Sequence, residues 1–302
     1  MRFNNLHPRF GREVTGFDVR ALDAEAVHVI RTELARCGVL VFRDQVLDDD
    51  ALERASRQLG DGRLEEPART WSHAPSTRFV SYLTGFRDES GKPLGVADNH
   101  TDYWHSDQEF RCDPATLASL YCLVPPTRGG ATSFATTAVH RLSLPAELVE
   151  RVRPLWSTRR PAPTHDNVDH VEVSHPVLLT SPRGDGEFLY VSENTERFIG
   201  VSDEAGDVLK AQLLHHCLSD RNVYAHEWRM GDFVVYDNAQ VLHRRETFEG
   251  MRWLKGTKIF APLEYFAVPA GEVVGVESPA GRDTGETELA ASGTAIEERG
   301  NV

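Results

Sequence analysis

The chain has 302 residues, 40% of them hydrophobic and 26% charged, which is enough to bury one substantial core and is ordinary for a soluble globular protein. Its formal net charge of −13 comes with no basic stripe of the kind a nucleic-acid partner requires, and no apolar run approaches the length of a membrane span. The four cysteines, Cys37, Cys112, Cys122 and Cys217, are far apart and form no CxxC, so neither a zinc ribbon nor a disulfide framework is indicated. Buried thiols in a cytoplasmic protein are the expectation, and the N-terminus, with no apolar stretch behind its charge, agrees.

Phe10 to Asp18 alternates apolar and polar positions between glycines and predicts a short strand ending in a turn. A helix should follow, capped by Asp23 and closed by Gly38, because Ala26, Val27, Ile30 and Leu34 recur at helical spacing. Val39 to Phe42 reads as a strand buried on both faces, and Asp48 to Leu59 as a second helix. Residues 63–103 keep no steady period and are expected to form a lid over a site, with strand composition only at Phe79 to Leu83. Ala115 to Val124 and Ala131 to Phe134 predict strands around a Pro125 to Gly130 turn, and Thr137 to Leu142 and Pro145 to Val152 a helix pair.

The stretch 157–175 is polar and irregular and reads as a second lid, with His165, His170 and His175 as solvated loop histidines. A hairpin is expected from His175 to Val191, a helix from Asp203 to Cys217, and strands at Val223 to Trp228, Phe233 to Tyr236 and Trp253 to Phe260. Residues 269–302 lose their aromatic content and read as a disordered tail behind one domain spanning 1–268. Short strands, few helices and long insertions point to a mainly β protein, a barrel or jelly roll with helices packed outside.

The chemistry concentrates at Trp104-His105-Ser106-Asp107. In an extended segment His105 and Asp107 share a face and can offer a nitrogen and an oxygen to one ion. A second imidazole, such as His243 at the end of Tyr236-Asp237-Asn238-Ala239-Gln240-Val241-Leu242-His243, would complete a facial set suited to non-haem Fe(II). Alone, His-x-Asp is more often a hydrogen-bonded surface pair.

Several stretches together resemble the taurine dioxygenase superfamily of Fe(II)- and 2-oxoglutarate-dependent oxygenases. They are Phe10-Gly11-Arg12-Glu13-Val14-Thr15-Gly16-Phe17-Asp18, Leu40-Val41-Phe42-Arg43-Asp44-Gln45, Trp104-His105-Ser106-Asp107, Pro126-Thr127-Arg128-Gly129-Gly130-Ala131-Thr132, Trp228-Arg229-Met230-Gly231-Asp232, and Tyr236-Asp237-Asn238 ahead of His243. They follow the family's order across roughly residues 6–266. The resemblance implies a double-stranded β-helix, the cupin-like jelly roll. It also implies iron ligands at His105, Asp107 and His243, and co-substrate binding by Thr132 and Arg252, whose forked guanidinium suits a carboxylate.

In such an enzyme 2-oxoglutarate and O₂ meet at Fe(II), and decarboxylation to succinate and CO₂ is coupled to oxidation of a C–H bond, hydroxylation being the first expectation. Desaturation or epoxidation uses the same residues. A metal-binding jelly roll without catalysis would be expected to lack Thr132 and Arg252.

Gly256 stands where taurine dioxygenase carries a second arginine for the sulfonate, and Asn99-His100-Thr101-Asp102-Tyr103 departs from the family's usual run. The expected substrate is therefore a small molecule other than taurine, contacted by Thr101, Tyr103, Gln108 and Arg197. Homo-oligomerisation is left open.

Overall fold

The structure is a computed structural model that describes residues 1–67, 76–96, 102–159, 172–267 and 271–274. From the N-terminus, β1 (Arg2–Asn5) pairs with β2 (Arg12–Thr15), and α1 (Ala24–Cys37) follows. The Asp23 carboxylate accepts from the Ala26 amide at the start of α1, and Gly38 closes it in the left-handed region at φ 75°, as the sequence predicts. Next come β3 (Val39–Phe42), α2 (Asp49–Leu59), β4 (Ser81–Thr84), β5 (Leu117–Val124), β6 (Arg128–Gly129), β7 (Thr132–Thr136), α3 (Val139–Leu142) and α4 (Ala146–Val152). The chain continues through β8 (Trp156–Arg159), β9 (Val173–Pro176), β10 (Leu178–Thr180), β11 (Glu187–Leu189), β12 (Thr195–Phe198) and α5 (Asp203–Cys217). It ends in β13 (Val223–His226), β14 (Phe233–Asp237), β15 (Val241–Arg245), β16 (Phe248–Glu249), β17 (Trp253–Ile259) and β18 (Glu272–Val273).

Seven strands form the large sheet in the order β1-β2-β3-β14-β5-β17-β4, antiparallel except between β2 and β3. Its central strands are buried on both faces, and strand alternation explains how. Leu40, Phe42, Phe233, Val235, Leu117 and Ile259 turn outward and pack with Ile30 and Leu34 of α1 and Leu52 and Leu59 of α2. Val39, Val41, Ala118, Leu120, Val234, Tyr236 and Leu254 turn inward to meet Phe134 and Val241 of a second sheet, ordered β13-β7-β15. The outer face of that sheet, including Ala135 and Leu242, is covered by α3, α4, α5 and neighbouring strands. Two sheets thus enclose the space into which alternate residues of β7, β14, β15 and β17 project.

Of the stretch 157–175, expected to be an irregular polar lid, the described residues 157–159 and 172–175 lie in or beside strands. Ser157 pairs with His175 and Arg159 with Val173 in a β8–β9 ladder, in a sheet ordered β12-β8-β9-β18. His175 is fully buried, its Nε2 2.9 Å from the Glu109 carbonyl, so it is not a solvated loop histidine; His165 and His170 lie outside the described residues. These strands escape a hydrophobicity pattern because they bury polar residues, of which Ser157, Arg159 and His175 are held by hydrogen bonds. Within the stretch expected to be a tail, β18 adds to the edge of β9, the Gly271 amide donates to the Cys112 carbonyl at 3.2 Å, and that of Val274 to Glu172 at 2.9 Å.

Candidate active site

His105 and His243 meet through an isolated antiparallel bridge, their backbones exchanging hydrogen bonds of 3.1 and 2.9 Å. This joins the segment before the first metal candidate to β15 and brings the imidazole centroids within 4.2 Å. Asp107 follows on the same side, and one ligand atom from each of His105, Asp107 and His243 lies within 4.8 Å of the others. His105 Nδ1 is 3.0 Å from the Tyr103 carbonyl, which fixes the ring and leaves Nε2 available. Two imidazole nitrogens and one carboxylate oxygen converging this closely fit the donor set of a non-haem iron centre.

The Tyr236 hydroxyl donates to Asp107 Oδ2 at 2.8 Å and lies 3.3 Å from His243 Nε2. Lys258, projecting from the inner face of β17 on the same side as Leu254 and Gly256, makes an ion pair with Asp107. Burial alone would raise the Asp107 pKa, but Lys258 and the two imidazoles hold it well below the usual carboxylate range. Burial, with the neighbouring His105, lowers that of His243, so its imidazole stays neutral. Lys258 and the role of Tyr236 were not anticipated from sequence; strand parity on β17, counted from Leu254, would have turned Lys258 inward.

The turn carrying Asp107 is anchored from behind. Ser106 donates to the Asn238 carbonyl at 2.7 Å, and the Trp104 amide to Glu193 at 2.6 Å. Glu109, 2% exposed, accepts from Arg159 at 3.1 Å, Ser192 at 2.6 Å and Asn194 at 2.9 Å, and Arg159 is fully buried on β8. Removing one partner of such a pair strands the other's charge, so Glu109→Ala is expected to cost about 3–5 kcal/mol in urea unfolding, and the Glu109→Met, Arg159→Met double variant much less. Equal losses in the two proteins would show that the charges matter only through packing.

Arg252 is 8% exposed just ahead of β17, a buried and not a surface arginine. Its carbonyl accepts from Thr84 Oγ1 at 2.8 Å, and its guanidinium lies 5.0 Å from the Phe248 ring centroid. Thr132 on β7 is buried, its hydroxyl accepting from Trp228 Nε1 at 3.1 Å. A cavity of about 430 Å³ opens here, lined among others by Thr84, Asp102, Arg245, Phe248 and Arg252. Gly130, whose carbonyl is 3.5 Å from Arg252 Nη1, has no room for a side chain: at φ 70°, an added Cβ would lie 2.8 Å from Phe248 Cβ and from Pro126 Cγ.

Among the expected substrate contacts, Tyr103 lies near the site, its ring centroid 5.0 Å from that of His105 and tilted by 47°. Gln108 is buried in the turn at φ 59°, its side chain accepting from the Ala115 amide at 2.8 Å. Arg197 pairs with Glu172 at 2.9 Å on β12, an edge strand of the four-stranded sheet. Thr101 lies outside the described residues.

The model of the "Taurine catabolism dioxygenase TauD, TfdA family" matches residues 2–258. The chain is 28% identical over 263 residues to an alpha-ketoglutarate-dependent 2,4-dichlorophenoxyacetate dioxygenase of Burkholderia sp. (strain RASC), covering 81% of this chain and 88% of that one. It is 27% identical to an alpha-ketoglutarate-dependent sulfate ester dioxygenase of Pseudomonas putida, covering 79% and 83%. Pentalenolactone F synthase of Streptomyces avermitilis is 24% identical, covering 79% and 86%.

Among solved structures, a taurine dioxygenase from Burkholderia xenovorans superposes with a TM-score of 0.75 at 22% identity, covering 91% of this chain and 95% of that one. AAD-2, in complex with Mn(II) and N-oxalylglycine, gives 0.73 at 22%, covering 85% and 97%. These two establish the jelly-roll fold. With the family model spanning most of the sequence and a His-Asp-His cluster assembled between the sheets, the chain belongs to the taurine dioxygenase superfamily of Fe(II)- and 2-oxoglutarate-dependent dioxygenases.

Proposed function

We propose that this dioxygenase hydroxylates an unactivated C–H bond of a small anionic molecule other than taurine, with His105, Asp107 and His243 holding Fe(II) and Arg252 and Thr132 receiving the distal carboxylate of 2-oxoglutarate. The convergence of the three donor atoms within 4.8 Å carries the reading. Bound there, Fe(II) with 2-oxoglutarate and O₂ supplies the oxidising equivalents, releasing succinate and CO₂. The chain's own work is to orient the reactants and keep water from the site. Tyr236 fixes the Asp107 carboxylate, and the neutral His243 keeps a lone pair available.

The anionic character of the substrate rests on charge balance. Two charges on the metal are met by Asp107 and the proximal carboxylate, and the distal carboxylate is met by Arg252. With the Asp107 charge taken by the metal, the partly exposed Lys258 ammonium that pairs with it in the structure would be left beside the site, with nearby Glu65 already paired to Arg111 at 3.3 Å. Relatives named for 2,4-dichlorophenoxyacetate and for sulfate esters act on acidic compounds, which supports the same class. Gly256 supports exclusion of taurine: even a Cβ there would press to 3.3 Å on Leu120 and the Ser119 carbonyl. The nearness of the Tyr103 ring to His105 supports a substrate contact there, whereas Gln108 and Arg197 are engaged with Ala115 and Glu172.

The test is succinate formation from 2-oxoglutarate with a panel of small carboxylates, sulfate esters and their neutral isosteres. Anionic members should stimulate it, and Lys258→Met should raise their KM about ten-fold or more. Neutral isosteres working as well, or efficient release of sulfite from taurine, would overturn the reading.

A further inference from the structure

Arg245 has no role in the site as described so far, yet the fold places it there. It lies two residues beyond His243 on β15, so its side chain leaves the strand on the same inner face. Its register partner on β7 is Thr132. It is 8% exposed and lines the cavity with Arg252, but its Nε is buried without a hydrogen-bond partner, and no carboxylate among the described residues pairs with it. Arg245 and Arg252 lie 5.1 and 5.0 Å from the centroid of the same Phe248 ring, so the two guanidinium carbons are separated by no more than the sum of those distances. Among the described residues, the only carboxylate lining the cavity is that of Asp102, which is exposed.

A buried guanidinium that faces a cavity beside a second one, with a donor left unsatisfied, is costly unless an anion meets it. We propose that Arg245 is a second guanidinium for the distal carboxylate of 2-oxoglutarate, gripping it together with Arg252 and so selecting the dianion over 2-oxo acids that lack the second carboxylate. A carboxylate has enough lone pairs to accept from two forks. The inference rests on the reading that places this carboxylate at Arg252 and Thr132.

Titration calorimetry on the full chain with Mn(II), with thermal melting, tests it. Arg245→Gln should weaken 2-oxoglutarate binding by about ten-fold or more. It should leave 2-oxobutyrate, which has the same 2-oxo acid head and no distal carboxylate, bound as in wild type. The ligand-free variant should melt no lower than wild type, because a buried charge with an unsatisfied donor has gone. Arg245→Lys, keeping charge and bulk without the fork, should fall between the two.

Unchanged 2-oxoglutarate affinity in Arg245→Gln, with a loss in Arg252→Gln, would overturn this inference alone. Equal losses for both ligands with a lowered melting temperature would overturn it in favour of a packing role. Unchanged affinity in Arg245→Gln and Arg252→Gln alike would remove the underlying placement of the co-substrate.

Discussion

An Asp107→Ala protein is expected to lose Fe(II)-dependent succinate formation while remaining folded. Asp107 is the only carboxylate in the triad, and neutral imidazoles alone would leave the metal's charge poorly met. Loss of a group that merely supports a metal ligand commonly costs 10- to 100-fold in affinity, so removing a ligand should weaken Fe(II) or Mn(II) binding by at least about 100-fold. The fold should tolerate the change, since Lys258 is partly exposed and the turn keeps its Ser106 and Glu109 anchors. Calorimetry with Mn(II), circular dichroism and succinate assay together decide it. Wild-type succinate production in Asp107→Ala would sink the assignment, as it would for His105→Ala or His243→Ala.

Arg252→Ala should leave metal affinity nearly unchanged and raise the dissociation constant for 2-oxoglutarate by about thirty-fold or more. Truncating one partner of a desolvated carboxylate–guanidinium pair removes roughly 2–5 kcal/mol, at about 1.4 kcal/mol per decade. Arg252→Lys should recover little, because a point charge cannot reproduce the fork. The structure makes Lys255 a good negative control: it turns away from the site, pairing with Asp49 at 2.7 Å between the Tyr82 and Tyr121 rings. Lys255→Ala should cost stability and leave co-substrate affinity alone. Lys258→Ala should spare it too, and a large loss there with none in Arg252→Ala would move the carboxylate to Lys258.

What could be read in advance follows from how local each signal is. The helix over Asp203–Cys217 and the caps Asp23 and Gly38 depend on neighbours a few residues away, and they stand as predicted. The strand Val39–Phe42 was recognisable because burial on both faces leaves a continuous apolar run. By contrast, β1 has no apolar alternation, and β8 and β9 bury serine, threonine, arginine and histidine, so periodicity could not find them.

In the candidate site, the convergence of His105, Asp107 and His243 was legible from spacing combined with a family resemblance, and the burial of Thr132 and Arg252 is compatible with the place that resemblance implies for them. The positions of Arg245, Lys258 and Arg159 were not, because they depend on which strand lies opposite which. Arg159 meets Glu109 across fifty residues of chain, and Arg245 meets Thr132 only through the β15–β7 register.

The strand beyond the domain's expected end has a practical corollary. Composition recommends trimming the protein near residue 269, but doing so would strip β18 from β9 and leave a row of backbone donors and acceptors exposed on a sheet edge. A bare edge of that kind is a template for pairing with another chain, so the shortened protein would be prone to aggregate. The same cut would remove the Gly271 contact to Cys112, five residues past Asp107. Loss of a peripheral two-residue ladder is thus expected to lower solubility and to loosen the segment that follows Asp107.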